Sequence, residues 1–303
     1  MKLRKCPICN KKKFSTIYSE NNRNNLNYVF CKSCYFILKN PLGKIYKKSF
    51  YSNKVYYSAK DPKSVSLKKR FADILKEIRS EFKSKNIEIL DFGCGNGNFL
   101  NYLKKKGYQK LSGYELYLNE IKKNKIFITN KLNKLKKTYN IITLNHVLEH
   151  VENPIKIIHK VKSLLKTDGF IIIEVPDNSI YEKYGLKPGN YVDEHFSQFT
   201  LGSLYNLSTV CNVQIVKSKS IDCISNQRDP FIPSIIVKLK KNVDQVKNNH
   251  DFKKKIKNKK KLIKKKINKI KNSKITLFGC GDGMKYIMKY VNTNNIKFLI
   301  DNN

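Results

Sequence analysis

One glycine-rich loop constrains this 303-residue chain most strongly, because it fixes a strand, a turn and a helix at one place. The loop reads DFGCGNG, from Asp91 to Gly97. The apolar run NIEIL before it indicates a strand, and NFLNYLKKKG after it indicates a helix that ends at a glycine. Glycines at this spacing let the backbone pass close to a ligand, as at the strand-to-helix turns of parallel α/β sheets. Asn98 stands where a dinucleotide fingerprint has its last glycine, which argues against NAD.

Three further segments continue the same pattern along the chain. KLSGYEL predicts a strand that ends near Glu115, at the distance from the loop where an acid can accept both ribose hydroxyls. YNIITLN predicts a strand that ends near Asn145. NPIKIIHKVKSLLK predicts a helix with Asn153 as its cap and Pro154 in its first turn. The turn TDG then leads to the buried strand FIIIEVP.

These motifs together resemble the class I S-adenosylmethionine (SAM) methyltransferases, through ILDFGCGNG, Glu115, LNHVLEHVENP and LLKTDGFIIIEVPD. The resemblance implies an α/β fold with a Rossmann-like methyltransferase domain, SAM as the cofactor, and methyl transfer. It implies that Asp91 and the glycines hold the methionine end, and that Asn130 stands where the family usually has an acid near the adenine. The alternative is a Rossmann-like fold with no cofactor. The expected cofactor-binding residues are Asp91, Gly93, Gly95, Gly97, Glu115, Asn130 and Asn145.

Two CxxC pairs near the amino terminus, Cys6 with Cys9 and Cys31 with Cys34, predict a structural metal site. Each pair can turn two sulfurs toward one ion, and two pairs complete the closed tetrahedral set of a zinc ribbon. The segment between the pairs predicts a short hairpin with a polar tip. The alternatives are redox thiols or a ribbon without metal.

The order of these parts resembles one narrower group, the C-methyltransferases of nucleotide-linked 4-keto-6-deoxy sugars. The features that carry the resemblance are the four-cysteine module, the SAM domain, the stretch EHFSQFT and a second glycine loop. It implies that His195 is a general base with Glu194 beside it, and that His150 lies near the sugar keto oxygen. A packing role is the alternative for these side chains. The expected substrate-side residues are Tyr56, Tyr57 and Tyr191.

The second glycine loop, LFGCGDG, begins at Leu277 and aligns with the first after a shift of 186 residues. The shift also places Asp301 on Glu115, so a short, truncated Rossmann-like half-domain is expected at 275–303. Leu277 replaces Asp91, which argues against a second SAM site. By the resemblance, this unit helps to hold the nucleotide sugar, and a glycine turn at a helix start suits phosphates.

Between these parts the chain is rich in lysine, and its net charge is +39. Apolar residues recur at helical spacing among the lysines, which predicts an amphipathic connecting helix packed on a neighbour. A helix that binds nucleic acid or a membrane surface is the alternative. Abundant Lys, Asn and Ile share A/T-rich codons, so the charge alone is weak evidence for nucleic acid. The expected domains are 1–45 (zinc module), 46–235 (SAM domain), 236–274 (connecting helix) and 275–303.

The start MKLRKCPICN lacks the apolar core of a signal peptide, and no apolar run reaches the length of a membrane span. We therefore expect a cytoplasmic enzyme with a small-molecule substrate. The favoured reaction is C-methylation of a nucleotide-linked keto sugar through an enolate that His195 generates. The alternatives are an O- or N-methyltransferase on another small molecule, and an RNA-binding methyltransferase-like module.

Overall fold

The computed structural model describes residues 5–20, 26–34, 36–40, 65–117, 126–136, 138–179, 195–221, 233–242, 275–278 and 296–300. The chain divides into two compact units, Met1–Asn242 and Val243–Asn303. None of the helices in these ranges is both long and apolar enough to cross a membrane.

The first unit contains eleven described strands and four described α-helices. The strands are β1 (Phe14–Glu20), β2 (Leu26–Cys31), β3 (Ile37–Lys39), β4 (Ile89–Phe92), β5 (Leu111–Tyr114), β6 (Phe127–Thr129), β7 (Tyr139–Asn145), β8 (Leu165–Pro176), β9 (Ser197–Gln198), β10 (Val213–Ile221) and β11 (Ser234–Lys241). The helices are α1 (Val65–Glu81), α2 (Asn98–Lys105), α3 (Pro154–Ser163) and α4 (Leu201–Val210).

Seven of these strands form the central sheet, in the order β10-β11-β8-β7-β4-β5-β6. The run from β8 to β6 is parallel, and β11 is antiparallel to both of its neighbours. The strand order reverses between β4 and β7. Ligands of open α/β sheets bind at such a switch point, beyond the carboxyl ends of the strands. The predicted Rossmann-like α/β fold is therefore confirmed.

Both faces of the central sheet are buried, as a parallel sheet requires. Neighbouring residues of β7 illustrate this, since Ile141 and Ile142 are both fully buried but belong to different apolar clusters. The cluster on one face draws on α1 and α2, and the cluster on the other face draws on α3 and α4. The helices on both sides therefore fix the sheet rigidly beneath the switch point.

A second sheet, in the order β1-β2-β3-β9, joins the cysteine-bearing amino terminus to a later part of the chain. The predicted hairpin is present as the antiparallel pair β1 and β2. Its partner β3 pairs with β9, which places Ile37 opposite Gln198 and Leu38 opposite Ser197. The amino-terminal module is thus attached by strand pairing just after His195.

Several elements agree with the sequence and others shift. Asn153 caps α3 as predicted, because its side chain accepts a hydrogen bond from the amide of Lys156 and Pro154 begins the helix. The helix ends at Ser163, earlier than expected, and β8 begins at Leu165 and runs through the predicted TDG turn. Residues 236–241, expected in the connecting helix, belong to β11, because the apolar run SIIVKL pairs with β8 instead.

The second unit contains two described strands, β12 (Ile275–Phe278) and β13 (Ile296–Ile300). They pair in parallel, as the predicted repeat of the strand–turn–helix–strand pattern requires. The second glycine turn, its helix and the predicted lysine-rich helix lie outside the described residues.

Candidate active site

A cavity of about 560 Å³ opens at the carboxyl ends of β4, β5 and β7. It lies at the switch point of the central sheet, on the edge where the glycine-rich loop follows β4. Its walls are mainly apolar, with a few polar side chains among them. The lining residues include Phe92, Gly93, Gly95, Tyr114, Glu115, Leu116, Leu132, Asn145, His146, Val147, His150, Ile157 and Phe196.

The glycine-rich loop has a backbone that only glycine adopts readily. Gly93, Gly95 and Gly97 all have positive φ angles, of 80°, 51° and 74°. A Cβ atom on Gly93 would lie 2.5 Å from Cγ2 of Val147. Gly93 and Gly95 line the cavity, whereas Gly97 stands at the start of α2. The loop therefore brings bare backbone to the cavity wall.

Glu115 follows β5 directly and lines the same cavity. Its Oε2 accepts a hydrogen bond of 2.8 Å from the amide of Gly95, and its Oε1 accepts one of 3.2 Å from the amide of Tyr117. These bonds hold the Glu115 carboxylate beside the glycine-rich loop that follows β4. The position fits an acceptor for the hydroxyls of a ribose.

Asp91 is buried, 2% exposed, and lines a smaller cavity of about 90 Å³ that shares Gly93, Gly95 and Asn145 with the large one. Its Oδ1 accepts hydrogen bonds from Oγ1 of Thr143 at 2.7 Å and from Nδ2 of Asn145 at 3.0 Å. Burial and, to a lesser extent, the nearby Glu115 carboxylate raise the pKa of Asp91 to about 7. The two hydrogen bonds oppose this rise because they favour the ionised carboxylate. A cationic group bound beside it would favour the ionised carboxylate.

Asn130 behaves differently from the other residues expected to bind the cofactor. It follows β6, is exposed, and is not among the residues that line the cavity. Leu132, two positions later, lines the wall instead. The structure therefore brings together Asp91, two of the three glycines, Glu115 and Asn145, but not Asn130.

The two histidines expected in catalysis lie against each other. The rings of His150 and His195 are 4.7 Å apart between centroids and meet edge to face. His150 lines the cavity at the end of a short 3₁₀ turn, Leu148–His150, and His195 is only 8% exposed. Sequence separation gives no hint of this contact, which joins the end of β7 to the segment before β9.

A carboxylate that sequence reasoning missed lies beside this pair. Glu149 is fully buried, and its carboxylate lies within 4.8 Å of ring nitrogens of both His150 and His195. Nδ1 of His146 is 3.1 Å from Oε1 of Glu149. Burial opposes its ionisation, but the three imidazoles outweigh that effect and lower the pKa of Glu149 to about 2. The motif LEH contains the signal, since the acid adjoins His150.

A second buried acid, Glu174, lies near His146 as Glu149 does. Glu174 on β8 lies 3.6 Å from Nε2 of His146 and is held by Arg70 of α1, with two bonds of 2.6 and 2.9 Å. Burial opposes ionisation here too, but the Arg70 guanidinium holds the pKa of Glu174 well below its usual range. His146 itself has a positive φ of 53°. The pairing of Arg70 with Glu174 spans 104 residues, so no local pattern predicts it.

The segment that carries His195 is held by the amino-terminal module. The hydroxyl of Tyr28, a fully buried residue of β2, donates a 2.5 Å hydrogen bond to the carbonyl of His195. The amide of Lys39 donates to the carbonyl of Phe196 at 3.0 Å, and the amide of Phe196 donates to the carbonyl of Glu149 at 2.8 Å. Nε2 of Gln198 is 3.5 Å from Nδ1 of His195.

The four amino-terminal cysteines converge on one point. Sγ of Cys6 is 3.5 Å from Sγ of Cys34, and Sγ of Cys9 is 3.5 Å from Sγ of Cys31. All four sulfurs lie within 4.8 Å of one another. A tetrahedral ion with bonds of about 2.3 Å requires sulfurs roughly 3.8 Å apart, so this donor set fits a soft divalent cation. Burial is the main cause that raises the pKa of the Cys6 thiol to about 11, and a bound cation would lower that pKa.

The remaining predicted site residues, Glu194, Tyr56, Tyr57 and Tyr191, lie outside the described residues.

Comparisons with known proteins agree with this geometry. A family model described as a methyltransferase domain matches residues 66–217, about half of the chain. No curated protein matches. The chain resembles the fold of the 1,6-didemethyltoxoflavin-N1-methyltransferase of Burkholderia thailandensis, solved with S-adenosylhomocysteine (TM-score 0.50, 14% identity, 76% of this chain and 100% of that one). It also matches the magnesium protoporphyrin IX methyltransferase of Synechocystis PCC 6803 (0.46, 16%, 59% and 84%).

Proposed function

This chain belongs to the methyltransferase domain family and is a SAM-dependent methyltransferase, and from that premise we propose that it methylates a carbon atom of a nucleotide-linked 4-keto-6-deoxy sugar. The observation that carries the proposal is the contact between His150 and His195 at the wall of the cavity that the glycine loop also lines. A pair of imidazoles beside a methyl-donor site can supply the general base that carbon methylation needs, because the acceptor carbon must lose a proton before it can bind the methyl group.

The cofactor site in this proposal follows the cavity wall. The backbone of Gly93 and Gly95 approaches the methionine part, the ionised Asp91 faces its ammonium group, and Glu115 accepts the ribose hydroxyls. Leu132 and Val147 supply apolar surface for the adenine. Bound SAM supplies an electrophilic methyl group, and no residue of the chain needs to carry the methyl group in between.

The acceptor chemistry falls to the two histidines. A carbon next to a ketone is acidic enough for an imidazole to take its proton when the resulting oxyanion is stabilised. In the proposal, His195 takes that proton and His150 donates a hydrogen bond to the keto oxygen. The enolate carbon would then take the methyl group that bound SAM supplies, with cleavage of the methyl–sulfur bond, and His195 would hold the proton until the product departs.

We also propose that the four amino-terminal cysteines bind a structural zinc ion. The support is the convergence of their sulfurs and the closed set of four thiolates, which leaves no position for a substrate or water. The module pairs through β3 with β9, next to His195. Zinc would therefore act on catalysis only through the position of that segment.

The test is a mass spectrum of reaction products. Purified protein is incubated with SAM and a panel of nucleotide-linked 4-keto-6-deoxy sugars, and the sugar is analysed by fragmentation. We expect a product heavier by one methylene with the new carbon on the ring, lost in His195→Ala. His159→Ala, on the exposed face of α3, is the matched control and keeps full turnover. Methylation of an oxygen or nitrogen acceptor that survives His195→Ala would contradict the proposal.

A further inference from the structure

We propose that Glu149 is the positioning residue of this site: its buried carboxylate orients the His150–His195 pair and is the counter-ion of the imidazolium formed when His195 takes a proton. The inference rests on the proposed function for the proton transfer itself, and it deepens that function by naming the carboxylate.

The first support is the position of the carboxylate. Glu149 is 0% exposed, and one of its carboxylate oxygens lies in a cluster with a ring nitrogen of His150 and a ring nitrogen of His195, all within 4.8 Å of one another. Within the described residues, neither of its oxygens accepts a well-aligned hydrogen bond. A buried carboxylate in this state costs stability unless cations compensate it, so the neighbouring imidazoles are its natural partners.

The second support is the backbone that ties the two segments together. The amide of Phe196 donates a 2.8 Å hydrogen bond to the carbonyl of Glu149, so the residues on either side of this bond move as one piece. The hydroxyl of Tyr28 donates a further hydrogen bond to the carbonyl of His195. The carboxylate and the imidazole are thus fixed at a set separation before any substrate binds, which is the property that catalysis by preorganised charge requires.

The third support is the set of charges that face Glu149 from each neighbouring element. His146 approaches from the end of β7, and His150 and His195 approach from their own segments. Behind His146 lies Glu174 of β8, which is neutralised by Arg70 of α1. Arg70 forms its hydrogen bonds with Glu174 and acts on Glu149 only through a longer-range electrostatic attraction. The fields of the imidazoles hold the pKa of Glu149 near 2, so it is an anion at any working pH.

The proton balance then closes without another reactant. The substrate C–H bond breaks, its proton moves to His195, and its electron pair forms the bond to the methyl group of SAM as the sulfonium becomes a thioether. A cation forms on a side chain that is only 8% exposed, where water screens poorly. An anion already in place offsets that charge, so the proton transfer is easier with Glu149 ionised.

The experiment is a histidine titration by NMR on the full-length chain, with the His195 ring signal identified by its loss in His195→Gln. We expect its imidazole pKa in the wild-type chain to lie above the ordinary value of about 6.5. In Glu149→Gln it should fall by about one unit or more. Glu77→Gln is the matched control, because Glu77 is equally buried but pairs with Lys217 at 2.7 Å, away from the cavity, and should leave His195 unchanged.

Each outcome decides the inference separately from the substrate. A His195 pKa at or below the ordinary value in the wild-type chain would overturn it, even if Glu149→Gln failed to fold. A second divalent ion per chain, lost in Glu149→Gln, would overturn it too, because the cluster would then bind metal. A raised pKa without turnover of keto sugars would keep Glu149 in its role and refute only the proposed substrate. With turnover, the acidic limb of kcat/KM should shift to lower pH in Glu149→Gln.

Discussion

At the residue scale, Asp91 links the protonation of the chain to its cofactor. Its pKa, raised to about 7 by burial and by Glu115, means that the folded chain holds this proton more tightly than the unfolded chain does. The contribution of Asp91 to stability is therefore greatest at acidic pH and declines as pH rises from about 4 to 7. The ammonium group of SAM would supply the cation that the ionised carboxylate lacks.

This predicts that SAM binds more tightly as Asp91 ionises. Between pH 6.0 and 7.5 the ionised fraction of a group with a pKa near 7 rises about eightfold, so the dissociation constant should fall by up to about eightfold. Calorimetric titrations at several pH values measure this. Asp91→Asn should bind weakly with little pH dependence over that range. A wild-type affinity that stays constant with pH would show that Asp91 does not meet the ammonium group.

A substitution at Gly93 tests whether the glycine-rich loop needs its left-handed backbone conformation. An alanine there combines a φ of +80° with a Cβ 2.5 Å from Val147, so Gly93→Ala should lower the free energy of unfolding by about 2–4 kcal/mol and weaken SAM binding. Gly202→Ala is the control, because the nearest atom to its Cβ is 3.9 Å away and it lies in α4. There we expect a gain of about 0.5 kcal/mol in urea unfolding. Equal effects would contradict the conformational argument.

At the scale of elements, the pairing of β3 with β9 connects the amino-terminal cysteine module, the proposed zinc site, to the segment that carries His195. Only two residue pairs form this contact, and hydrogen bonds from Tyr28 and Lys39 extend it to His195 and Phe196. Short strands need further support to hold their register. Loss of the metal should therefore release the His195 segment while leaving the central sheet folded.

The prediction is that Cys31→Ser lowers the bound zinc and the rate together. We expect zinc to fall from one ion per chain to well below one by elemental analysis, and kcat to fall at least tenfold. SAM affinity should remain within about twofold, since no cysteine of the module lines the cavity. Cys211→Ser, another buried cysteine outside the cluster, should keep its zinc. Full activity in a zinc-free chain would refute the coupling.

The elements themselves could be predicted where the signal is local. The strand before Asp91, the cap at Asn153 and the two CxxC knuckles follow from neighbouring residues, and the structure confirms the strand and the cap. The contacts of the site could not be predicted, because they join distant segments. Tyr28 meets His195 across 167 residues and Arg70 meets Glu174 across 104, and such pairs depend on packing that no periodicity encodes.

Burial also determines the structure of one segment whose sequence pattern is ambiguous. The run SIIVKLKK carries lysines that suggest the start of the basic segment, yet its first six residues are buried in β11. Lys238 is 3% exposed there and pairs with Glu77 and Glu81 of α1. Partners on another element therefore compensate a buried charge that the sequence alone places in solvent.

At the scale of the whole molecule, the chain consists of two units with separate roles in the proposal. Among the residues that the structure describes, those that line the large cavity lie between Phe92 and Phe196, inside the unit Met1–Asn242. The second unit contributes the parallel pair β12 and β13. In the proposal, the second unit takes part in substrate binding and the first unit in the chemistry.

A chain ending at Asn242 separates these roles. Because the described residues that line the cavity belong to the first unit, SAM should bind this shortened chain within about twofold of the full-length affinity by calorimetry. If the second glycine turn holds the phosphates of the nucleotide sugar, as proposed, the KM for the sugar should rise at least tenfold while kcat changes little. An unchanged KM would remove the second unit from substrate binding. A tenfold loss of SAM affinity would instead mean that the second unit completes the cofactor site, against the division drawn from the cavity.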